Sequence, residues 1–123
     1  MAAAAPAAAT VRPGPRAWFV LAILKDKDAH AILQALLPRA QGVVFARSQN
    51  PRAADAHDLA REAELFDIPT FVETGVGAAL ARAMSEAGPA GLVVATGSFS
   101  TASEARIAYL QQHNLPLPDR DPI

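Results

Sequence analysis

The sequence of 123 residues contains no cysteine. That excludes a disulfide framework, a thiolate metal site and a thiol nucleophile. Lysine is nearly as scarce, with two against nine arginines. Eleven basic and 12 acidic side chains leave a formal charge of −1, so no broad basic field exists to hold nucleic acid or an anionic membrane. No window after residue 16 approaches the ~18 strongly apolar residues of a membrane span. A GxxxxGK[ST] phosphate-binding loop and a GxGxxG dinucleotide fingerprint are both missing. Gly75-Val76-Gly77 lacks the third glycine and reads as a turn. His30, His57 and His113 are widely separated and do not share the spacing of a zinc site. Ser98 has no evident His and Asp partners for a hydrolytic triad.

Apolar residues make up 51% of the chain and charged residues 19%, and the mean hydropathy is +0.15. Such a chain is long enough for one domain that buries roughly two-thirds of its unfolded surface. Alanine is heavily used, so the core of large side chains is smaller than the apolar fraction suggests. Residues 1–16 (MAAAAPAAATVRPGPR) are broken by three prolines and carry no large apolar anchors, which reads as a tail. They lack the early positive charge and leucine-rich segment of a secretory signal, so the expected location is cytoplasmic. Residues 114–123 read as a second tail beyond the last helix. The expected domain is 17–113.

Between those ends, apolar runs alternate with helical stripes. Trp18–Leu24 is a continuous apolar run, as in a strand buried on both faces. Ala29, Ile32, Leu33, Leu36 and Leu37 then share one helical face, with Asp28 placed to cap it. Gly42–Ala46 is a second strand, followed by a stripe through Ala56, Leu59, Ala60, Ala63 and Phe66. Thr70–Glu73 is a weaker strand, suited to a sheet edge. Val76, Ala79, Leu80, Ala83, Met84 and Ala87 form the next stripe, stopped at Gly88-Pro89. Gly91–Thr96 is a fourth strand, and Thr101-x-x-Glu104 has the pattern of a capping box opening a last helix to His113. Helices are expected near 28–37, 55–66, 75–87 and 101–113. The alternation implies an α/β fold: a mostly parallel sheet of four or slightly more strands, in which Phe19–Leu24 pairs with Leu92–Thr96, with helices on both faces.

Ligands of open α/β sheets collect at the carboxyl ends of the strands. Three polar loops fall there. Lys25-Asp26-Lys27-Asp28 has carboxylates suited to ribose hydroxyls and lysines suited to phosphate; it also reads as a solvated turn with a helix cap. Ser48-Gln49-Asn50-Pro51-Arg52 combines an amide with a guanidinium fork that fits a carboxylate; an ordinary turn with an exposed arginine is the plainer reading. Thr96-Gly97-Ser98 leaves a strand and enters a helix, where hydroxyls and first-turn amides suit an anion, or simply make a tight turn.

Three runs taken together resemble a known family. LAILKDKD (Leu21–Asp28), VVFARSQNPRAAD (Val43–Asp55) and LVVATGSFSTASEAR (Leu92–Arg106) are similar, in order, to the C-terminal domain of folylpolyglutamate synthase/dihydrofolate synthase, of the Mur ligase superfamily. The resemblance implies a Rossmann-like domain of an ATP-dependent ligase that joins glutamate to a folate through an acyl phosphate. It assigns Asn50, Arg52 and Ser98 to glutamate, and Asp26, Lys27, Asp28 and Gly97 to ATP or to the domain interface. No catalytic or metal-ligating residue is implied. ATP and magnesium are expected only in a complete ligase, whose P-loop domain is the implied partner. The family's usual opening strand, DGAHNP, has no counterpart here, and Ser103 stands where a glycine precedes Glu104. A domain truncated at its start is therefore expected to be inactive alone, and to leave an unpaired edge or an uncovered apolar face beside Trp18 and its strand, which favours self-association or docking onto a partner. A non-catalytic binding module, or a degenerate fragment with the same fold, is the alternative.

Overall fold

Every second residue of the first strand points the same way, and both directions are apolar. Ala17, Phe19, Leu21 and Ile23 belong to one core, and Trp18, Val20 and Ala22 to another. A strand with this composition needs cover on both faces, and the computed structural model, which describes residues 16–117, provides it. The tails at 1–15 and 118–123 lie outside the described residues.

Strand β1 is Ala17–Leu21, followed by helix α1, Ala29–Leu36, and a short 3₁₀ turn, Leu37–Arg39. Strand β2, Ala40–Phe45, leads to α2, Ala56–Ala63, and the 3₁₀ turn Glu64–Phe66. Strand β3 is Thr70–Val72 and α3 is Val76–Ala87. Strand β4, Leu92–Thr96, precedes α4, Phe99–Gln112. All three strand pairings are parallel, in the order β3-β2-β1-β4. The α/β reading is correct, and among the described residues the short strand near residue 70 lies at an edge.

Helices α1 and α2, with the 3₁₀ turn that follows α1, cover one face through Leu33, Leu37, Leu59 and Ala63. Helices α3 and α4 cover the other through Val76, Ala79, Leu80, Ala83 and Ala105. Much of the alanine excess is used here, since small side chains let a helix approach the sheet closely. Trp18 stacks on Phe71, with ring centroids 6.0 Å apart, and Arg82 lies over the other ring at 3.7 Å from its centroid. Gly42 makes room for Trp18: a Cβ there would overlap the indole ring.

Two expectations are corrected. Trp18 is only 4% exposed and β1 is hydrogen-bonded on both sides. Among the described residues the edges are β3 and β4, because the chain returns after α3 to lay β4 along the other side of β1. The last helix starts at Phe99 and is capped by Ser98, whose Oγ accepts from the amide of Thr101 at 3.1 Å. Thr101 and Glu104 therefore do not form the capping box. Ser98 makes the same cap three residues earlier, which releases both side chains for partners elsewhere.

Asp55 caps α2 by accepting from the amides of His57 and Asp58, at 2.8 and 3.3 Å. Those two hydrogen bonds hold its carboxyl below the usual range. A carboxyl lowered in the folded state stabilises the fold above its ordinary pKa and ceases to do so as the pH falls through the lowered value. Asp55→Ala is thus expected to unfold more easily than the wild type at neutral pH, with the gap closing below about pH 4; a gap that ignores pH would contradict the cap. Gly42→Ala is expected to cost about 1–3 kcal/mol by overpacking, lowering the melting temperature by about 4–8 °C for each kcal/mol. An unchanged melting temperature would show that Trp18 can move aside.

Candidate functional site

From β1 the chain steps outward through β2 to β3, then crosses back to place β4 on the opposite side of β1. The crossovers leave β1 and β4 in opposite directions, and a crevice opens at their carboxyl ends. It has a volume of about 650 Å³ and is lined by Leu24, Asp26, Lys27, Asn50, Arg52, Thr96, Gly97, Ser98 and Ala102. All three polar loops singled out in the sequence meet at this crevice. Six of the seven residues assigned by resemblance line it. Asp28 does not; its carboxylate caps α1 by accepting from the amide of Ala31 at 3.1 Å.

The loops after β1 and β2 are laced together. The amide of Lys25 donates to the carbonyl of Arg52 at 2.7 Å, and that of Ala54 donates to Ile23 at 2.9 Å. Leu24 and Ala53 thereby form an antiparallel bridge just beyond the parallel strands. Arg52 Nη1 adds an ion pair to Asp26 at 3.0 Å. Both side chains are more than half exposed, so this pair contributes geometry more than stability. Within its own loop, Asn50 Oδ1 accepts from the amide of Arg52 at 2.9 Å, and Ser48 Oγ accepts from that of Asn50 at 3.3 Å. The turn that presents Arg52 is therefore closed by the Asn50 side chain itself, the Asx geometry that favours asparagine before proline.

The third loop is fixed against the end of β1. Thr101 is fully buried, and its hydroxyl donates to the carbonyl of Ala22 at 2.8 Å. That uses its one proton, so in the 3.0 Å contact between the hydroxyls of Ser98 and Thr101 the donor is Ser98. Ser98 thus spends its proton inside the turn and faces the crevice chiefly as part of the wall. Gly97 has φ +130°, and a Cβ there would overlap the Ala22 carbonyl oxygen. A side chain at this position is excluded twice, by conformation and by space.

Two residues that shape the site were not recognised in the sequence. Thr101 holds the turn after β4 against β1. Glu104 accepts from the amide of Gln49 at 3.0 Å, linking α4 to the loop after β2. The sequence pattern instead pairs the two with each other, as a capping box. The available signal was that Ser98-x-x-Thr101 also fits a helix start, leaving a buried threonine and a glutamate one turn later without a capping task. No group of three potential metal-ligating side chains occurs among the described residues. Among the described residues no helix is long and apolar enough to cross a membrane.

Comparison with known proteins agrees with this geometry. Residues 1–99 match the family model described as Mur ligase, glutamate ligase domain. No curated protein sequence matches the chain. Among solved structures, the folylpolyglutamate synthase of Mycobacterium tuberculosis complexed with ADP is similar at 30% identity and a TM-score of 0.72, over 88% of this chain and 25% of that one. The ligand-free bifunctional folylpolyglutamate synthase/dihydrofolate synthase of Yersinia pestis is similar at 26% identity and a TM-score of 0.66, over 82% of this chain and 23% of that one. The Thermotoga maritima folylpolyglutamate synthase, at 24% identity, a TM-score of 0.64 and coverage of 84% and 23%, shares the fold. The chain spans about a quarter of the length of these synthases. By its match to the family model over residues 1–99, and by a fold shared with a folylpolyglutamate synthase, the chain belongs to the Mur ligase family as a glutamate ligase domain.

Proposed function

We propose that this domain binds the incoming glutamate, and closes over the nucleotide, in an ATP-dependent ligase that extends a folate. The observation that carries the reading is the meeting of Asp26-Lys27, Asn50-Pro51-Arg52 and Gly97-Ser98 at one crevice at the sheet's switch point. In that reaction a folate carboxylate oxygen attacks the γ-phosphorus of ATP, giving an acyl phosphate and ADP. The glutamate amine, having lost a proton, then attacks the acyl carbon, forming the amide and releasing phosphate.

This chain's part is to position. Arg52 uses Nη1 on Asp26, and its Nη2 and Nε remain directed to a carboxylate of the glutamate. A guanidinium held by a neighbouring acid cannot swing freely, so less entropy is lost when the substrate arrives. Lys27, on the same rim, supplies a positive charge for the nucleotide phosphates. The residues present do not suffice to hold ATP, because no phosphate-binding loop occurs in these 123 residues. Magnesium and the phosphates are held by a P-loop domain, and the two domains act together. On this reading the 123 residues have no folate-dependent ATP turnover by themselves.

A graft tests the proposal. The quarter of the M. tuberculosis synthase that this chain matches is replaced by the present chain, and glutamate addition is measured with ATP, magnesium and a folate. The graft is expected to form the amide. Arg52→Ala is expected to lower kcat/KM for glutamate by about 10–100-fold, the scale of one lost hydrogen bond to a charged group, with Arg52→Lys in between. Turnover by the 123 residues alone, or a graft whose use of glutamate ignores Arg52→Ala, would overturn the reading.

A further inference from the structure

We infer that Glu104 is a positioning residue for the amino-acid carboxylate, acting through the loop that carries Asn50 and Arg52. The inference rests on the glutamate-binding reading of the crevice. The amide of Gln49 donates to Glu104 Oε2 at 3.0 Å, across 55 positions of sequence. β2 and β4 flank β1 on opposite sides, so this bond joins the loop beyond one flank to the helix beyond the other.

Its helical end is firmly held. Glu104 lies between Thr101, fixed to the Ala22 carbonyl, and Ala105, buried against the sheet at 6% exposure. Its loop end leads directly to the substrate group. Ser48, 5% exposed, accepts from the amide of Asn50, and Asn50 accepts from the amide of Arg52. Held at Ser48 and Gln49, the turn has little freedom left, and Arg52 is presented at a set distance from Gly97 and Ser98. Glu104 itself lines a separate, smaller cleft of about 370 Å³ beside Arg47 and Gln111, and does not line the 650 Å³ crevice. It therefore orients without touching the ligand. A half-buried carboxylate on α4 is here bonded to a backbone amide 55 residues away, and so restrains the one loop that carries the guanidinium.

The test uses the 123-residue chain, labelled with ¹⁵N, as wild type, Glu104→Ala and Glu104→Gln. Two quantities are read: the hydrogen-exchange rate of the Gln49 amide, and the apparent Kd for L-glutamate from shifts around Asn50 and Arg52. Glu104→Ala is expected to speed Gln49 exchange about tenfold and weaken glutamate binding about tenfold, with the melting temperature little changed. Glu104→Gln retains an acceptor oxygen and is expected to restore both to within about twofold. Unchanged Gln49 exchange in Glu104→Ala would overturn the clamp, as would faster exchange with undiminished binding. If glutamate moves nothing around Arg52 in the wild type, the glutamate reading of the crevice fails instead, and Gln49 exchange still decides for or against the clamp.

Discussion

The carbonyl oxygen of Ala22 accepts the buried hydroxyl of Thr101 and lies against the side-chain-free backbone of Gly97. One residue past the end of β1, this contact ties the turn after β4 to the strand at the centre of the sheet. Just beyond it, Ile23 and Lys25 exchange backbone hydrogen bonds with Ala54 and Arg52. The end of β1 is thus the common support of both other loops. A buried carbonyl that lost its donor would be left unsatisfied in an apolar layer, at a cost of about 1–3 kcal/mol. The crevice is therefore built into the core, even though Asp26 and Arg52 themselves reach into solvent.

Much of this was legible because the relevant residues obey strong local rules. Trp18–Leu24 and Val43–Ala46 are apolar without interruption, which only a doubly covered strand tolerates. Asp28 and Asp55 stand where helices begin, and both cap them. The loops were found because α/β sheets place polar turns at their carboxyl ends. The expected helices lie within a residue or two of the observed ones at most ends. What differs in the last helix is the cap, because two overlapping start patterns, Ser98-x-x-Thr101 and Thr101-x-x-Glu104, occupy the same stretch. Only tertiary contacts decide between them: Thr101 is drawn to Ala22 and Glu104 to Gln49, neither of which is near in sequence.

The expected pairing of the first apolar run with Leu92–Thr96 is present. What borders that pair was the harder quantity, since both faces of strands such as WFVLA and LVVAT are apolar. Counting strands from the family's usual beginning suggests an unpaired edge or an uncovered apolar face beside Trp18. In the structure β4 occupies the far side of β1, and Gly42 leaves space for an indole enclosed beside Phe71. That same reversal of direction creates the crevice. The feature misjudged from sequence and the feature that supports function are one piece of topology.

The proposed function is a division of labour. A P-loop domain would supply the phosphate chemistry, and this domain would contribute a wall whose Arg52 guanidinium is held by Asp26 and presented by the loop that Asn50 and Glu104 restrain. A crystal structure of the chain soaked with L-glutamate tests this most directly. The account predicts a glutamate carboxylate on Arg52 within the crevice between Asn50 and Gly97, with the Arg52–Asp26 and Gln49–Glu104 contacts retained. Glutamate bound at another surface, with Arg52 making no contact to it, would contradict it.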